Sequence, residues 1–349
     1  MVDATQRHST ARSKRLLTDW LGSLWLCSTA LVLLTLSSGL LTHGASAAER
    51  SRPIRIGALT TSWGPTPEMA ALRDRLLELG YHERDDFVLG VRFTQGDNAA
   101  LLHAAHQLVA YDVDLIFAVG HDLVVQAAQK ATTRIPIVFA AVSDPVGAGL
   151  IQSFARPGSN TTGVSDLGLE LVPKRLEVFR EMIPGLQRVL FPYDAADPEH
   201  LLEAQALRSA ARRLGIVLME KPLRTEEEAK TILAEIKPGA VDGILAPRCC
   251  SLNISGFILE TASQKSLPTM FQQVFWVEQG ALASYGPDYY ASGRQAARLV
   301  DKILKGANPA EIPVEVNPKI EFAINLKVPK ALGLTIAPEV LFQADRIVR

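Results

Sequence analysis

The residues able to do chemistry in this sequence stand at the ends of its short apolar runs. Ser62 and Trp63 follow the run 54–59, Gly120-His121 follow 114–119, and Ser143-Asp144 follow 137–142. Ser165-Asp166, Tyr193-Asp194, Arg248 and the turn from Tyr285 to Asp288 repeat the arrangement further on. Short hydroxyls and free backbone N–H groups at helix starts hold a carboxylate, an aspartate takes an ammonium, and a guanidinium pairs with an anion through two parallel donors. Trp63 adds a flat face on which an aromatic ligand can stack. Taken singly, each Ser or Asp is explained by helix capping. Their recurrence at one kind of position points to a small-molecule site lined by Ser62, Trp63, His121, Ser143, Asp144, Ser165, Tyr193, Asp194, Arg248, Tyr285 and Asp288.

Catalytic readings find less support. Ser143, His121 and Asp144 would suit an exported hydrolase, the rival reading, but no G-x-S-x-G elbow exposes the serine. His103 and His106 stand three apart with no acidic third ligand placed nearby, so no metal site is expected. There is no G-x-G-x-x-G after the first apolar run and no Walker loop, and no cofactor is expected. Cys249 and Cys250 are adjacent, closer than an unstrained disulfide prefers, and are expected as unlinked thiols.

The elements that must position these groups alternate. Apolar runs at 54–59, 87–93, 114–120 and 137–142 are separated by amphipathic stretches, of which 67–79 places Met69, Leu72, Leu76 and Leu79 on one helical face. Strand, helix, strand, helix with short connections is the signature of a parallel sheet covered on both faces. The rhythm restarts after Gly163, with helices at 170–183, 198–214 and 289–304 and strands at 188–193, 216–219, 241–246, 267–271 and 281–285. The glycine- and proline-containing passage 156–160 reads as the handover between two lobes. The expected organisation is lobe 1 over 48–160 and 286–325, lobe 2 over 161–285, and a tail, 326–349, near the hinge.

Residues 1–47 read as a cleaved secretory leader: Arg12, Lys14 and Arg15, an apolar core over 21–41, then Ala45-Ser46-Ala47. The chain is therefore expected in the periplasm. With 36 basic and 37 acidic side chains in 349 residues, there is no basic surface to suggest a nucleic-acid partner. The length left after the leader exceeds what one core supports, so two lobes are expected from size alone.

Several longer motifs carry a family resemblance. They are Leu79-Gly80-Tyr81, Ile135-Pro136-Ile137-Val138-Phe139, Asp144-Pro145-Val146-Gly147-Ala148-Gly149-Leu150 and Ala155-Arg156-Pro157-Gly158-Ser159-Asn160, with Ser284-Tyr285-Gly286-Pro287-Asp288 and Ile324-Asn325-Leu326-Lys327 near the end. In these the sequence resembles the periplasmic solute-binding components of ABC transporters, in the group that includes tryptophan- and tyrosine-binding lipoproteins. The resemblance implies an α/β chain of two Rossmann-like lobes with parallel sheets, the type I periplasmic-binding architecture, with the ligand in the cleft between them. It also implies a small polar or amino-acid-like ligand, an ABC permease as membrane partner, a monomer, and no bond made or broken. A ligand sensor for a membrane receptor would share these features. His121 and Arg248-Cys249-Cys250 depart from the family's pattern, so the resemblance leaves the ligand open.

Overall fold

The computed structural model of the chain describes residues 52–248 and 251–349; the expected leader, Cys249 and Cys250 lie outside them. Strands β1 (Ile54–Thr60), β3 (Leu115–Val119) and β4 (Ile137–Val142) are almost wholly buried, as runs of Ile, Val, Phe and Ala must be when helices cover both faces of a sheet. With β2 (Phe87–Phe93) and β5 (Thr161–Ser165) they run parallel in the order β2-β1-β3-β4-β5, and the two-residue β11 (Glu315–Val316) pairs parallel to β5. Helix α1 (Pro67–Glu78) starts where proline and a capping hydroxyl coincide. Pro67 opens it and Thr66 accepts a hydrogen bond from the Met69 N–H. Its Met69, Leu72 and Leu76 are buried as the spacing predicts. Helices α2 (Leu101–Ala110) and α3 (Asp122–Ala131) follow β2 and β3.

A second parallel set, β6 (Arg188–Asp194), β7 (Val217–Leu223), β8 (Gly243–Leu245), β9 (Thr269–Phe271) and β10 (Ala283–Pro287), has the order β7-β6-β8-β9-β10. β12 (Ile320–Asn325) then adds antiparallel to β10, and β13 (Arg346–Val348) parallel to β12. Helices α4 (Val172–Met182), α5 (Pro198–Leu214), α6 (Glu226–Ala234), α7 (Ile254–Lys265) and α8 (Val274–Glu278) belong to this half. So the fold is α/β with two parallel-dominated lobes. Both lobes use one doubly wound strand order, 2-1-3-4-5, although the sequence shows no repeat. In such sheets the ligand crevice opens at the carboxyl ends of the strands where the order reverses. Here those points are the ends of β1 and β3 in one lobe and of β6 and β8 in the other.

The handover between lobes differs from the sequence expectation. The passage 156–160 does not leave lobe 1: the Asn160 side chain donates to the Thr132 and Ile135 carbonyls at 3.2 and 2.7 Å, and β5 pairs with β4 beyond it. The chain crosses after Asp166, returns at Asp288 into α9 (Tyr289–Leu304), and crosses again near Asn317 into β12. Residues 161–165 therefore belong to the first sheet and 320–325 to the second, the reverse of the expected assignment. Hydrogen-bond capacity explains this: β4 has β3 on one edge only and is completed by β5, and β10 is completed by β12. The tail likewise packs on the second lobe, where Ile336 and Val340 enter its core, through α10 (Lys327–Leu332) and α11 (Pro338–Gln343). Helix α9 lies on the first lobe, where Tyr81 donates to Asp301 at 2.8 Å and Arg294 pairs with Glu78 at 2.7 Å.

The three crossings are laced together. The Asn317 N–H donates to the Ser165 carbonyl at 2.8 Å, its side-chain amide donates to the Asp288 carbonyl and the Ser292 hydroxyl at 2.8 Å each, and the Asp288 N–H donates to the Lys319 carbonyl at 2.9 Å.

Candidate functional site

A cleft of about 500 Å³ opens where the two switch points face each other. From lobe 1 it takes the loop from Thr60 to Thr66, the start of α1 with Glu68, and the β3 end with His121. From lobe 2 it takes Glu199, Arg248, Leu259 on α7 and the α8 residues Phe275 and Trp276; Tyr289 at the start of α9 closes one side. The wall is graded. Trp63 and Phe275 are about half exposed, whereas Glu68, His121, Glu199, Arg248 and Tyr289 are buried. An aromatic rim thus stands over a polar floor. Trp276 stacks on Phe271 at 5.2 Å and meets Phe275 edge-on at 5.1 Å, which holds the lobe-2 aromatic face in place. Backbone conformation also shapes the floor: Ala141, at φ 65°, sits in the left-handed region at a register shift in β4. An alanine held there marks a locally strained strand end bordering the cleft.

The floor is an ionic network. Arg248 points both terminal nitrogens at Asp166, Nη1 to Oδ1 and Nη2 to Oδ2 at 3.4 Å, and Nη2 also lies 3.5 Å from Glu199 Oε1. Asp166 is held by the Ser143 hydroxyl at 2.9 Å and the Gly168 N–H at 2.8 Å. The backbone of Arg248 is fixed as well. Its N–H donates to Glu203 at 3.0 Å, and its carbonyl accepts from the Gln272 amide. Glu203 in turn faces the fully buried Arg175, 3.9 Å away, whose Nε donates to the Tyr285 carbonyl at 2.9 Å. Burial acts to lower the Arg248 pKa, but Asp166 and Glu199 outweigh it and hold the guanidinium charged.

Two carboxyls on the floor keep oxygens without hydrogen bonds: both of Glu199, and Oε2 of Glu68, whose hydrogen bonds are with Thr66 and its own backbone N–H. Burial pushes Glu199 up to about 8, against the pull of Arg248, and Glu68 up to about 7. Burial likewise lowers His121, which is neutral near pH 7, and its Nε2 has no partner. Asp122, beside it, is raised to about 6 by burial.

Of the residues expected from sequence, Ser62, Trp63, His121 and Arg248 line the cleft. Ser143 stands behind it and acts through Asp166. Ser165 is buried in the crossing, donating to the Ser143 carbonyl at 3.0 Å. Asp144 is exposed and closes a turn by accepting the Gly147 N–H at 2.8 Å. Tyr193 is in the lobe-2 core, stacked on Phe191 at 5.4 Å. Asp194 accepts the Ala196 N–H and borders a separate, more open cavity with Asp97 and Arg224. Tyr285 packs on Phe322, and Asp288 caps α9 through the Ala291 N–H at 2.9 Å. The guanidinium of Arg248 does not stand free for a ligand carboxylate, because Asp166 already occupies its fork.

Sequence reasoning missed Glu68, Glu199, Leu259, Phe275, Trp276 and Tyr289. One signal was present. Thr66-Pro67-Glu68 and Asp197-Pro198-Glu199 both open the helix that follows the first strand of a lobe, a capping residue then Pro-Glu.

Two doubly wound lobes with a ligand-sized cleft at their facing switch points define a two-lobed solute-binding protein of the type I periplasmic-binding class. The chain belongs to the ABC transporter substrate binding protein family, whose model matches residues 67–348. It is 29% identical over 266 residues to a tyrosine-binding protein of Clostridioides difficile (strain R20291), covering 76% of this chain and 74% of that one. Among solved structures it is similar to a Streptococcus pneumonia domain in complex with L-Trp, at 25% identity and TM-score 0.76, covering 85% of this chain and 100% of that one. It is also similar to the ligand-free, open form of a Clostridium difficile substrate binding protein, at 25% identity and TM-score 0.58, covering 85% and 99%. Fold and family are those of substrate-binding proteins, not of enzymes.

Proposed function

We propose that this protein is the solute-binding component of an ABC importer, capturing a small aromatic amino acid or a close relative and delivering it to a membrane permease. The observation that carries the reading is the position of the tryptophans. Trp63 and Trp276, one from each lobe, stand over a buried polar floor in a cleft of about 500 Å³, a volume suited to a small ligand. The L-Trp-bound and tyrosine-binding relatives support an aromatic ligand.

Capture works by lobe closure. Ligand contacts to both walls bias a hinge motion about the three crossings, which Asn317 ties to one another. The higher likeness to the L-Trp-bound relative than to the open, ligand-free one supports a closed arrangement of these lobes. Export fits the same role: the basic, apolar and Ala45-Ser46-Ala47 segments of residues 1–47 direct the chain to the periplasm, where it acts as a monomer.

A thermal-shift screen with L-tryptophan, L-tyrosine, L-phenylalanine and their decarboxylated amines tests the reading. Saturable stabilisation by at least one, without turnover, is expected. A flat response to all of them would overturn the aromatic ligand.

A further inference from the structure

We infer that the solute is taken as a cation: an arylalkylamine whose ammonium is received by Glu199, with Glu68 as acceptor from the opposite lobe, in preference to a zwitterionic amino acid. The inference rests on the aromatic-ligand reading above and specifies the charge of that ligand.

Charge balance is the first observation. The floor presents one guanidinium, Arg248, to two carboxyls, Asp166 and Glu199. Asp166 engages both terminal nitrogens of the guanidinium, whereas Glu199 has only an approach of 3.5 Å and no hydrogen bond on either oxygen. Glu199 is only 6% exposed and Glu68 only 2%. A buried carboxylate without a partner is costly, and removing that cost takes a cation or hydrogen-bond donors. Arg248, shared with Asp166, gives Glu199 no hydrogen bond, and a ligand carboxylate brings no donor; a ligand ammonium, with three N–H donors, does.

Position is the second. Glu68 and Glu199 occupy equivalent places in the two lobes, second residue of the helix after the first strand, behind a cap and a proline. Both line the cleft. A helix N-terminus stabilises an anion, so these two sites would hold carboxylates at modest cost on a surface. Here burial dominates and raises both acids, Glu199 more than Glu68.

Composition of the wall is the third. Among the described residues, the cleft-lining side-chain atoms without partners are three carboxyl oxygens, Glu68 Oε2 and the two of Glu199, with His121 Nε2, Arg248 Nε and Trp276 Nε1. An indole or phenol ring between Trp63 and Trp276, carrying an ammonium on a short chain, matches that inventory. An added carboxylate would find the Arg248 guanidinium already taken by Asp166.

Calorimetry at pH 7 with tryptamine, L-tryptophan, tyramine, L-tyrosine and indole-3-propionate tests this. Each amine is expected to bind at least tenfold more tightly than its amino acid, and indole-3-propionate not at all. Glu199→Gln should weaken tryptamine ten- to hundredfold, the effect of losing a charge-assisted contact, and weaken L-tryptophan less. The ligand series alone decides the matter if that variant folds poorly. Amino acids that bind as tightly as their amines overturn the cation and leave the aromatic-ligand reading standing. Silence from all five compounds overturns both.

Discussion

Arg248 and Asp166 face each other as a fork on a carboxylate, Nη1 to Oδ1 and Nη2 to Oδ2 at 3.4 Å, with side chains 3% and 0% exposed. Asp166 stands where the chain leaves lobe 1, its N–H donating to the Val142 carbonyl, and Arg248 ends a strand loop of lobe 2. The pair therefore joins the two lobes at the base of the cleft. Breaking a buried pair from one side leaves an uncompensated charge and costs about 3–5 kcal/mol. Arg248→Ala is expected to lower the unfolding free energy by that order in urea titrations. Arg156→Ala, exposed on lobe 1, should stay within about 0.5 kcal/mol. Similar stabilities for the two variants would remove the pair from the account.

Gly168 tests the same contact sterically. A Cβ there would lie 1.1 Å from Arg248 Nη1. Gly168→Ala should displace the guanidinium from Asp166 and destabilise the fold by roughly 1–3 kcal/mol, as overpacking does. A wild-type melting profile would show that Arg248 can relax elsewhere at no cost.

Trp63 and Trp276 are the only tryptophans after residue 47, and both line the cleft. Intrinsic fluorescence should therefore change saturably on adding ligand. Trp63→Ala should weaken binding by about 1–2 kcal/mol, five- to thirtyfold, with little effect on folding because the side chain is half exposed. An unchanged affinity would place the ligand away from the rim.

The crossings predict a mechanical variant. Asn317→Ala removes two side-chain N–H donors at 2.8 Å and leaves the half-buried Asp288 carbonyl without that partner. A loss of about 1–3 kcal/mol follows. Hydrogen exchange should quicken at Asp288 and Lys319 before the lobe cores respond. Solution scattering on the wild type should show a smaller radius of gyration with saturating ligand, and an unchanged radius would count against closure.

The raised acids set a pH dependence in the free protein. Glu199 moves from its ordinary 4.5 to about 8 and Glu68 from 4.5 to about 7. A folded-state pKa above the unfolded one means the native chain holds protons that the unfolded chain releases. The stability is thus full below about pH 4.5 and is lost as pH rises toward 8. Glu78, lowered to about 2 by its hydrogen bonds with Arg294 and Arg75, acts only below that window. Urea midpoints should fall from pH 5 to pH 8, and Glu199→Gln should flatten the slope.

The sequence by itself determined the elements that carry a local signal, a continuous apolar run for a strand buried on both faces or an apolar stripe with a cap for a helix. The runs 54–59, 137–142 and 198–214 sit within a residue of the observed β1, β4 and α5, because an apolar period and a cap are local properties. The same locality gave Ser62, Trp63, His121 and Arg248, which stand at strand ends. It did not give α7 or α8. Ile254, Phe257, Ile258 and Leu259 go round the helix rather than along one stripe, since one side faces the core and Leu259 the cleft. Helix α8 has only five residues, too few to show a period. Nor could local pattern assign β5 and β12 to their sheets, because strand pairing is a contact between segments far apart in sequence. The roles of Glu68 and Glu199 were likewise decided by tertiary structure. At a helix start a glutamate looks solvated and capping, and only the meeting of two lobes buries it against a cleft.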